Sequence, residues 1–321
     1  MDDKNLPVII PKKVYLTVVA AAVRFANTRI PKDDWLEVSG IFIGVIDGDD
    51  VKISEAYPIM HQELDRDAVI DQYKFSDDDY VSFAIIDEEA FSRDPPEFTV
   101  GWWHTHPGFK VMMSHIDIRT TYSYQQNNPL ALSLVFNPTR LTRQVEVANK
   151  KGDPDIQLKN DPGFKIFRLD ALDPNASYHS VDFKIEGYDN AHHVVQLTNK
   201  FIVDATNFFP KDNLTQTYEK IINERIVELD SLILGTEEYL TSLIHRGEKA
   251  RIPEVLENQS QEIRKFVAET FVKIEKIKEF MDYLEYKEKQ TIVPKVDKIL
   301  KKWNDIVAGL DKRLKELSKK F

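Results

Sequence analysis

The 321-residue chain contains no cysteine. Disulfides, thiolate nucleophiles and cysteine metal ligands are excluded together, so any hydrolytic chemistry must rest on nitrogen and oxygen groups. Long apolar runs are missing as well. Stretches such as Val18 to Val23 are far shorter than the roughly 20 residues a membrane-spanning helix needs. The opening residues, Met1-Asp2-Asp3-Lys4-Asn5, lack the basic-then-apolar pattern of a secretory signal, so a cytoplasmic protein with no membrane association is expected. A basic surplus is also lacking: 43 Lys and Arg stand against 53 Asp and Glu. Residues 187–321 carry 23 charges of each sign, which leaves the whole net charge of −10 on residues 1–186. An acidic surface disfavours nucleic acid, because phosphate binding requires a basic face. It either steers a basic protein partner or simply solvates the domain.

What is present describes a globular protein with room for two cores, at 42% hydrophobic and 30% charged residues. Pro11 opens a helical pattern with Val14, Val18, Ala21 and Phe25 on one face, ending before Ile30-Pro31. Residues 36–47 and 51–58 read as paired strands around the turn Asp47-Gly48-Asp49-Asp50. Ser76, with Asp79 three residues on, caps a helix that runs to about Arg93 and stops at Pro95-Pro96. A strand over 97–105 and a helix over 114–126 follow, then strand-like runs near 130–137, 143–149, 163–169 and 180–186. This order predicts an α/β fold, a sheet sandwiched by helices. Residues 60–75 and 150–164 read as inserted loops, carrying either specificity or only solvent contact.

From Gly187 the composition shifts to Ile, Leu, Glu and Lys. Val267, Ile274, Ile277, Met281 and Leu284 fall on a heptad seam interrupted by Thr270, and a second seam runs Trp303, Val307, Leu310, Leu314, Leu317, Phe321. Such stripes must be covered by one another, by the first domain or by a partner. The expected division is therefore 1–186, a catalytic domain, and 187–321, an α-helical bundle or coiled-coil-like region serving assembly.

The chemistry concentrates at His104-Thr105-His106-Pro107, followed by Ser114 and Asp117. On a strand, His104 and His106 project from one face, because strand side chains repeat with period two. Asp117 lies one helical turn beyond Ser114 and can return to the histidines. Two imidazoles and one carboxylate suit a catalytic zinc, which keeps its fourth position open for water. Ser114-x-x-Asp117 is equally a capping box, and one residue can serve as both cap and ligand. Glu37, upstream in a strand-like segment, reads either as a catalytic carboxylate or as an exposed strand residue. His61, His115, His179 and His245 show no convergent spacing, and the adjacent His192 and His193 diverge on a helix; all six read as surface or packing residues.

The run from Gly101 through His104, His106 and Phe109 to Ser114 and Asp117 resembles the signature of the JAMM (MPN-plus) zinc metalloproteases. It is most similar to the forms carried by the proteasome-lid deubiquitinase and the signalosome catalytic subunit. Glu37-Val38-Ser39-Gly40 is similar to the family's glutamate-bearing strand, and Asn137-Pro138-Thr139-Arg140 to its Asp-Pro-Thr-Arg turn, with Asn for Asp. The resemblance covers about residues 8–186. It implies an MPN-type mixed sheet flanked by helices, one Zn2+ per chain on His104, His106 and Asp117, Glu37 as general base, and Ser114 as oxyanion donor. It further implies an isopeptidase acting on ubiquitin or a ubiquitin-like modifier, with an MPN partner subunit or a homodimer and a proteasome-type assembly. Two other readings stand beside it: a scaffold subunit with little activity of its own, and a protease for sulfur-carrier-type modifiers.

Overall fold

The structure, a computed structural model, describes residues 8–47, 50–63, 75–140, 144–147, 157–160, 163–186 and 191–321. Its strands are β1 (Val8–Ile10), β2 (Leu36–Asp47), β3 (Asp50–Glu63), β4 (Phe98–Thr105), β5 (Leu132–Phe136), β6 (Gln144–Val147), β7 (Gln157–Asn160), β8 (Phe164–Leu169), β9 (Tyr178–Val181) and β10 (Phe183–Ile185). Its helices are α1 (Lys12–Phe25), α2 (Asp77–Phe91), α3 (His115–Asn127), α4 (Ala191–Phe208), α5 (Leu214–His245), α6 (Ile252–Met281), α7 (Tyr286–Ala308) and α8 (Leu310–Lys320). The chain forms two compact units, Met1–Phe209 with Asp282–Lys287, and Pro210–Met281 with Glu288–Phe321.

The first unit is a mixed eight-stranded sheet in the order β10-β1-β3-β2-β4-β5-β8-β9, flanked by helices. A hairpin joins β2 to β3; its turn residues 48 and 49 lie outside the described residues. β3 runs to Glu63, so residues 60–63 continue the strand past Pro58 and do not belong to an inserted loop. Residues 64–74 and most of 148–162 lie outside the described residues, and β7 pairs with β6 inside the stretch expected to be irregular. β4 and β5 are parallel neighbours joined through α3. A parallel pair needs such a crossover, and it brings the end of β4 and the start of α3 to the same edge of the sheet.

Both predicted capping boxes form. Ser76 Oγ accepts from Asp79 N while Asp79 Oδ2 accepts from Ser76 N at 2.7 Å, which opens α2. Ile86 and Ala90 of α2 then pack on Ile41, Ile43 and Ile59 of the sheet. α3 places Ile118 against Val135, Phe167 and Leu169, closing a second cluster with Val111 and Met113. α1 is buried almost all round, beyond the single face its pattern suggested, because α4 lies against it. Tyr15 meets Thr198 at 3.4 Å, and the Arg29 guanidinium donates to Asn207 Oδ1 at 3.0 Å. The first compact unit therefore extends through α4 and does not end at 186, where the composition changes.

In the second unit the seam residues Val267, Thr270, Ile274 and Ile277 of α6, and Trp303, Leu310, Leu314 and Leu317 of α7 and α8, are buried. Leu240, Leu243, Ile252 and Leu317 form one cluster. Arg225 stacks on Phe266 and donates through Nε to Thr270 Oγ1 at 2.9 Å, which satisfies the one polar residue of the α6 seam.

Candidate metal centre

The site lies where β4 ends and α3 begins. His104 is the last but one residue of β4, paired with Ser39 of β2 on one side and Val135 of β5 on the other. Its ring stacks on Trp102 two residues earlier, centroids 4.4 Å apart and 11° from parallel, as expected for same-face neighbours on a strand. The Trp102 indole donates to Thr121 Oγ1 of α3 at 3.1 Å, which fixes that platform against the helix. His106 sits just past the strand, its backbone N–H donating to Phe136 O at 2.7 Å. Gly108 follows at φ +80° with the Trp35 ring 3.4 Å from where a Cβ would stand, so the turn after His106-Pro107 requires glycine.

His104, His106 and Asp117 converge in the interior. His104 Nε2 and His106 Nε2 are 3.1 Å apart, His104 Nε2 is 3.1 Å from Asp117 Oδ1, and His106 Nε2 is 3.5 Å from Asp117 Oδ2. With zinc–ligand bonds of about 2.0–2.1 Å, a tetrahedral edge measures roughly 3.3 Å, which these separations bracket. His106 Nδ1 lies 3.2 Å from the Lys110 carbonyl. A carbonyl can only accept, so Nδ1 carries a hydrogen, and in the neutral ring the lone pair lies on Nε2, where a cation would displace the second proton. The donor set fits a metal with nitrogen and oxygen preference, zinc among them.

The electrostatics point the same way. Burial pushes Asp117 up, but the charge and hydrogen bonds of His104 and His106 outweigh it and hold the carboxyl far below the usual carboxylate range. Burial pushes His106 down; Asp117, the charge of Glu37 and the Lys110 carbonyl reverse that and raise it to about 9. A pocket that attracts positive charge this strongly suits a cation. Asp117 is at once cap and ligand candidate. Its Oδ2 accepts from Ser114 N at 2.6 Å, and Ser114 Oγ accepts from Asp117 N at 3.2 Å.

Glu37 is 4% exposed, which excludes its reading as a surface residue of the strand. Its strand is drawn to the histidines by one specific bond. Thr105 Oγ1, between the two histidines, accepts from Val38 N at 2.9 Å where the backbone ladder between β2 and β4 has ended. Gly40 lets the sheet close here, since a Cβ would stand 2.0 Å from Tyr57 O and 2.7 Å from the Trp103 ring. Ser114 is half-buried, and its hydroxyl hydrogen is not used by the capping bond, in which Oγ only accepts. The other histidines stay apart from this cluster: His61 pairs with Glu285 at 2.7 Å and stacks on Phe25, and His179 pairs with Asp170 at 2.6 Å. The side chains of His192 and His193 lie outside the described residues.

Sequence reasoning did not find Trp102, Thr105 or the Lys110 carbonyl as supports of the site. Only Trp102 carried a signal, as the same-face neighbour of His104 two residues away.

Residues 3–130, which include Glu37, His104, His106, Ser114 and Asp117, match the JAB1/Mov34/MPN/PAD-1 ubiquitin protease family. The matched segment, residues 3–130, is a JAMM (MPN) domain. Among curated proteins, this MPN domain is similar to COP9 signalosome complex subunit 5 of Oryza sativa subsp. japonica, 32% identical over 107 residues, which is 33% of this chain and 28% of that one. It is 31% identical to COP9 signalosome complex subunit 5b of Arabidopsis thaliana over 131 residues, 40% of this chain and 34% of that one. It is 46% identical to the 26S proteasome regulatory subunit rpn11 of Schizosaccharomyces pombe over 43 residues, 13% of this chain and 14% of that one. The matches span about a third or less of these relatives, and the helices from Ala191 onward lie outside the family match. No described helix is long and apolar enough to cross a membrane.

Proposed function

We propose that the chain is a zinc-dependent isopeptidase that releases ubiquitin or a ubiquitin-like modifier from lysine. The observation that carries this reading is the buried convergence of His104, His106 and Asp117, at separations of 3.1 to 3.5 Å, with a buried Glu37 and a half-exposed Ser114 beside it. His104, His106 and Asp117 would hold one zinc. When bound, zinc supplies a Lewis acid and brings the pKa of water down toward 7.

The remaining steps belong to the chain's own groups. Glu37 takes a proton from the attacking water and passes it to the lysine ε-amine as the isopeptide C–N bond breaks, so the amine leaves neutral. Ser114 donates its free hydroxyl hydrogen to the oxygen that becomes negative when the carbonyl is attacked. Asp117 remains ionised throughout, as its depressed pKa requires, and acts by charge and position.

The helices would serve assembly, with chemistry confined to the MPN sheet up to residue 186. Val227 and Leu234 of α5 and Val272 of α6 are 57–64% exposed although the second unit already has its own core, which favours a partner surface. The relatives are named as subunits of complexes, and an MPN partner, a second copy or a proteasome-type assembly would supply that surface. Cleavage of a panel of ubiquitin and ubiquitin-like fusions, with and without a chelator, tests the activity. Chelator-sensitive release of one modifier supports it; no cleavage of any fusion by zinc-replete protein, alone or with its co-purifying partner, overturns it.

A further inference from the structure

The loop Pro107–Met113 links His104 and His106, at the end of β4, to Ser114 and Asp117, at the start of α3. Val111 of this loop packs into the cluster around Val135 and Phe167, and a further tie comes from outside the motif. Asn137, at the end of β5 and 2% exposed, donates from Nδ2 to the Phe109 carbonyl at 2.5 Å. The orientation of this amide is fixed by its other end. Asn137 Oδ1 accepts from Thr139 N at 2.9 Å and from Thr139 Oγ1 at 2.7 Å, and a backbone N–H can only donate, so the oxygen faces Thr139 and the NH2 faces the loop. Asn137 itself is held by its backbone N–H, which donates to Gly163 O at 2.7 Å, and by its carbonyl, which accepts from Arg140 N at 3.0 Å.

The next carbonyl along the loop, that of Lys110, accepts from His106 Nδ1. We propose that Asn137 is a positioning residue for His106, holding the Phe109–Lys110 peptide so that the Lys110 carbonyl fixes the ring orientation and the tautomer that leaves Nε2 free to ligate. This inference rests on the metal reading of the site and goes beyond it, because Asn137 is none of the three ligand candidates and lies outside the motif that carries them.

The clamp is particular to asparagine. A carboxylate has no hydrogen to donate, and its oxygen against the Phe109 carbonyl would repel where the amide attracts. Aspartate can still accept from Thr139, so the turn survives while the tie to the loop is cut. Asn137→Asp therefore separates the clamp from the turn.

The test uses full-length protein stripped of metal and reloaded with Co2+, whose visible absorption reports ligand geometry. Affinity is measured by competition with a chelator. Loss of a residue that orients a metal ligand costs typically 10- to 100-fold in affinity. Asn137→Asp and Asn137→Ala are both expected to lose affinity in that range and to shift the Co2+ absorption. Thr139→Ser, which keeps both donors to Asn137 Oδ1, is expected to bind as wild type. A merely structural role would lower the melting temperature of the metal-free protein and leave the Co2+ spectrum unchanged, and that result overturns the proposal. So does wild-type affinity in whichever of the two Asn137 variants folds. Wild-type protein that binds no Co2+ would overturn the metal reading itself, an outcome distinct from failure of the clamp.

Discussion

Thr105→Val removes one hydroxyl and leaves the shape of the side chain. Thr105 and Val38 are both fully buried, and the Thr105 hydroxyl is the acceptor for Val38 N–H at 2.9 Å. The backbone ladder between β2 and β4 ends one residue earlier, at Ser39 and His104, so no strand carbonyl stands ready to replace it. Valine would leave Val38 N–H buried without a partner, a cost of about 1–3 kcal/mol. For a unit of this size each kcal/mol moves the midpoint by roughly 2–4 °C, so the melting temperature should fall by roughly 2–12 °C. Unfolding of metal-free protein in urea, followed by tryptophan fluorescence, is the suitable assay, since Trp35, Trp102 and Trp103 lie in the first unit and only Trp303 in the second. The midpoint should fall with the slope unchanged, and Thr105→Ser, which keeps the acceptor, should recover much of the loss. Equal stability of Thr105→Val and wild type would refute the claim that this bond ties the Glu37 strand to the histidines.

Two further outcomes follow from the caps. Burial raises the Asp79 carboxyl, but Lys287 and the Ser76 bonds outweigh it and the net shift is downward. Its stabilising effect is therefore complete above the ordinary carboxylate pKa and fades as pH falls through the depressed folded value. Asp79→Ala should destabilise by about 1 kcal/mol or somewhat more at pH 7, and the gap to wild type should shrink in acid; a gap that widens there contradicts the assignment. Ser114→Ala should cost about 1 kcal/mol of helix capping and lower turnover about 100- to 1,000-fold if the hydroxyl meets the oxyanion. Its metal content should match wild type, and metal loss would show that the serine holds the site and not the transition state.

The parts legible in the sequence were those set by short-range rules. Ser76 with Asp79 and Ser114 with Asp117 announced two helix starts, and the His104-x-His106 spacing announced convergent imidazoles, although β4 ends at Thr105 and His106 falls just beyond it. β1 was not legible: three residues carry no periodicity, and the strand exists because β3 and β10 bracket it. The extension of β3 through Met60, His61 and Gln62 to Glu63 was hidden for a similar reason, because its partners are Ser39, Val38, Glu37 and Leu36 of β2, distant in sequence. The membership of α4 in the first unit depends on α1, with Tyr15 meeting Thr198 across 183 residues of sequence. Around the site, the ligand set was visible as residue types, whereas its supports are a backbone carbonyl at Lys110, a hydroxyl at Thr105 and an amide at Asn137. Those roles arise only when loop and strand ends meet.

Glu37 is proposed to move a proton beside a metal held by His104, His106 and Asp117. Glutamine has the size of glutamate but cannot take a proton, so the decisive measurement is metal content and turnover on one preparation of Glu37→Gln. The variant should hold about one zinc per chain, as wild type should, keep its fold, and turn over roughly 100-fold or more slowly. Wild-type turnover would contradict the role of Glu37, and loss of zinc in the same variant would make it a ligand instead of a base.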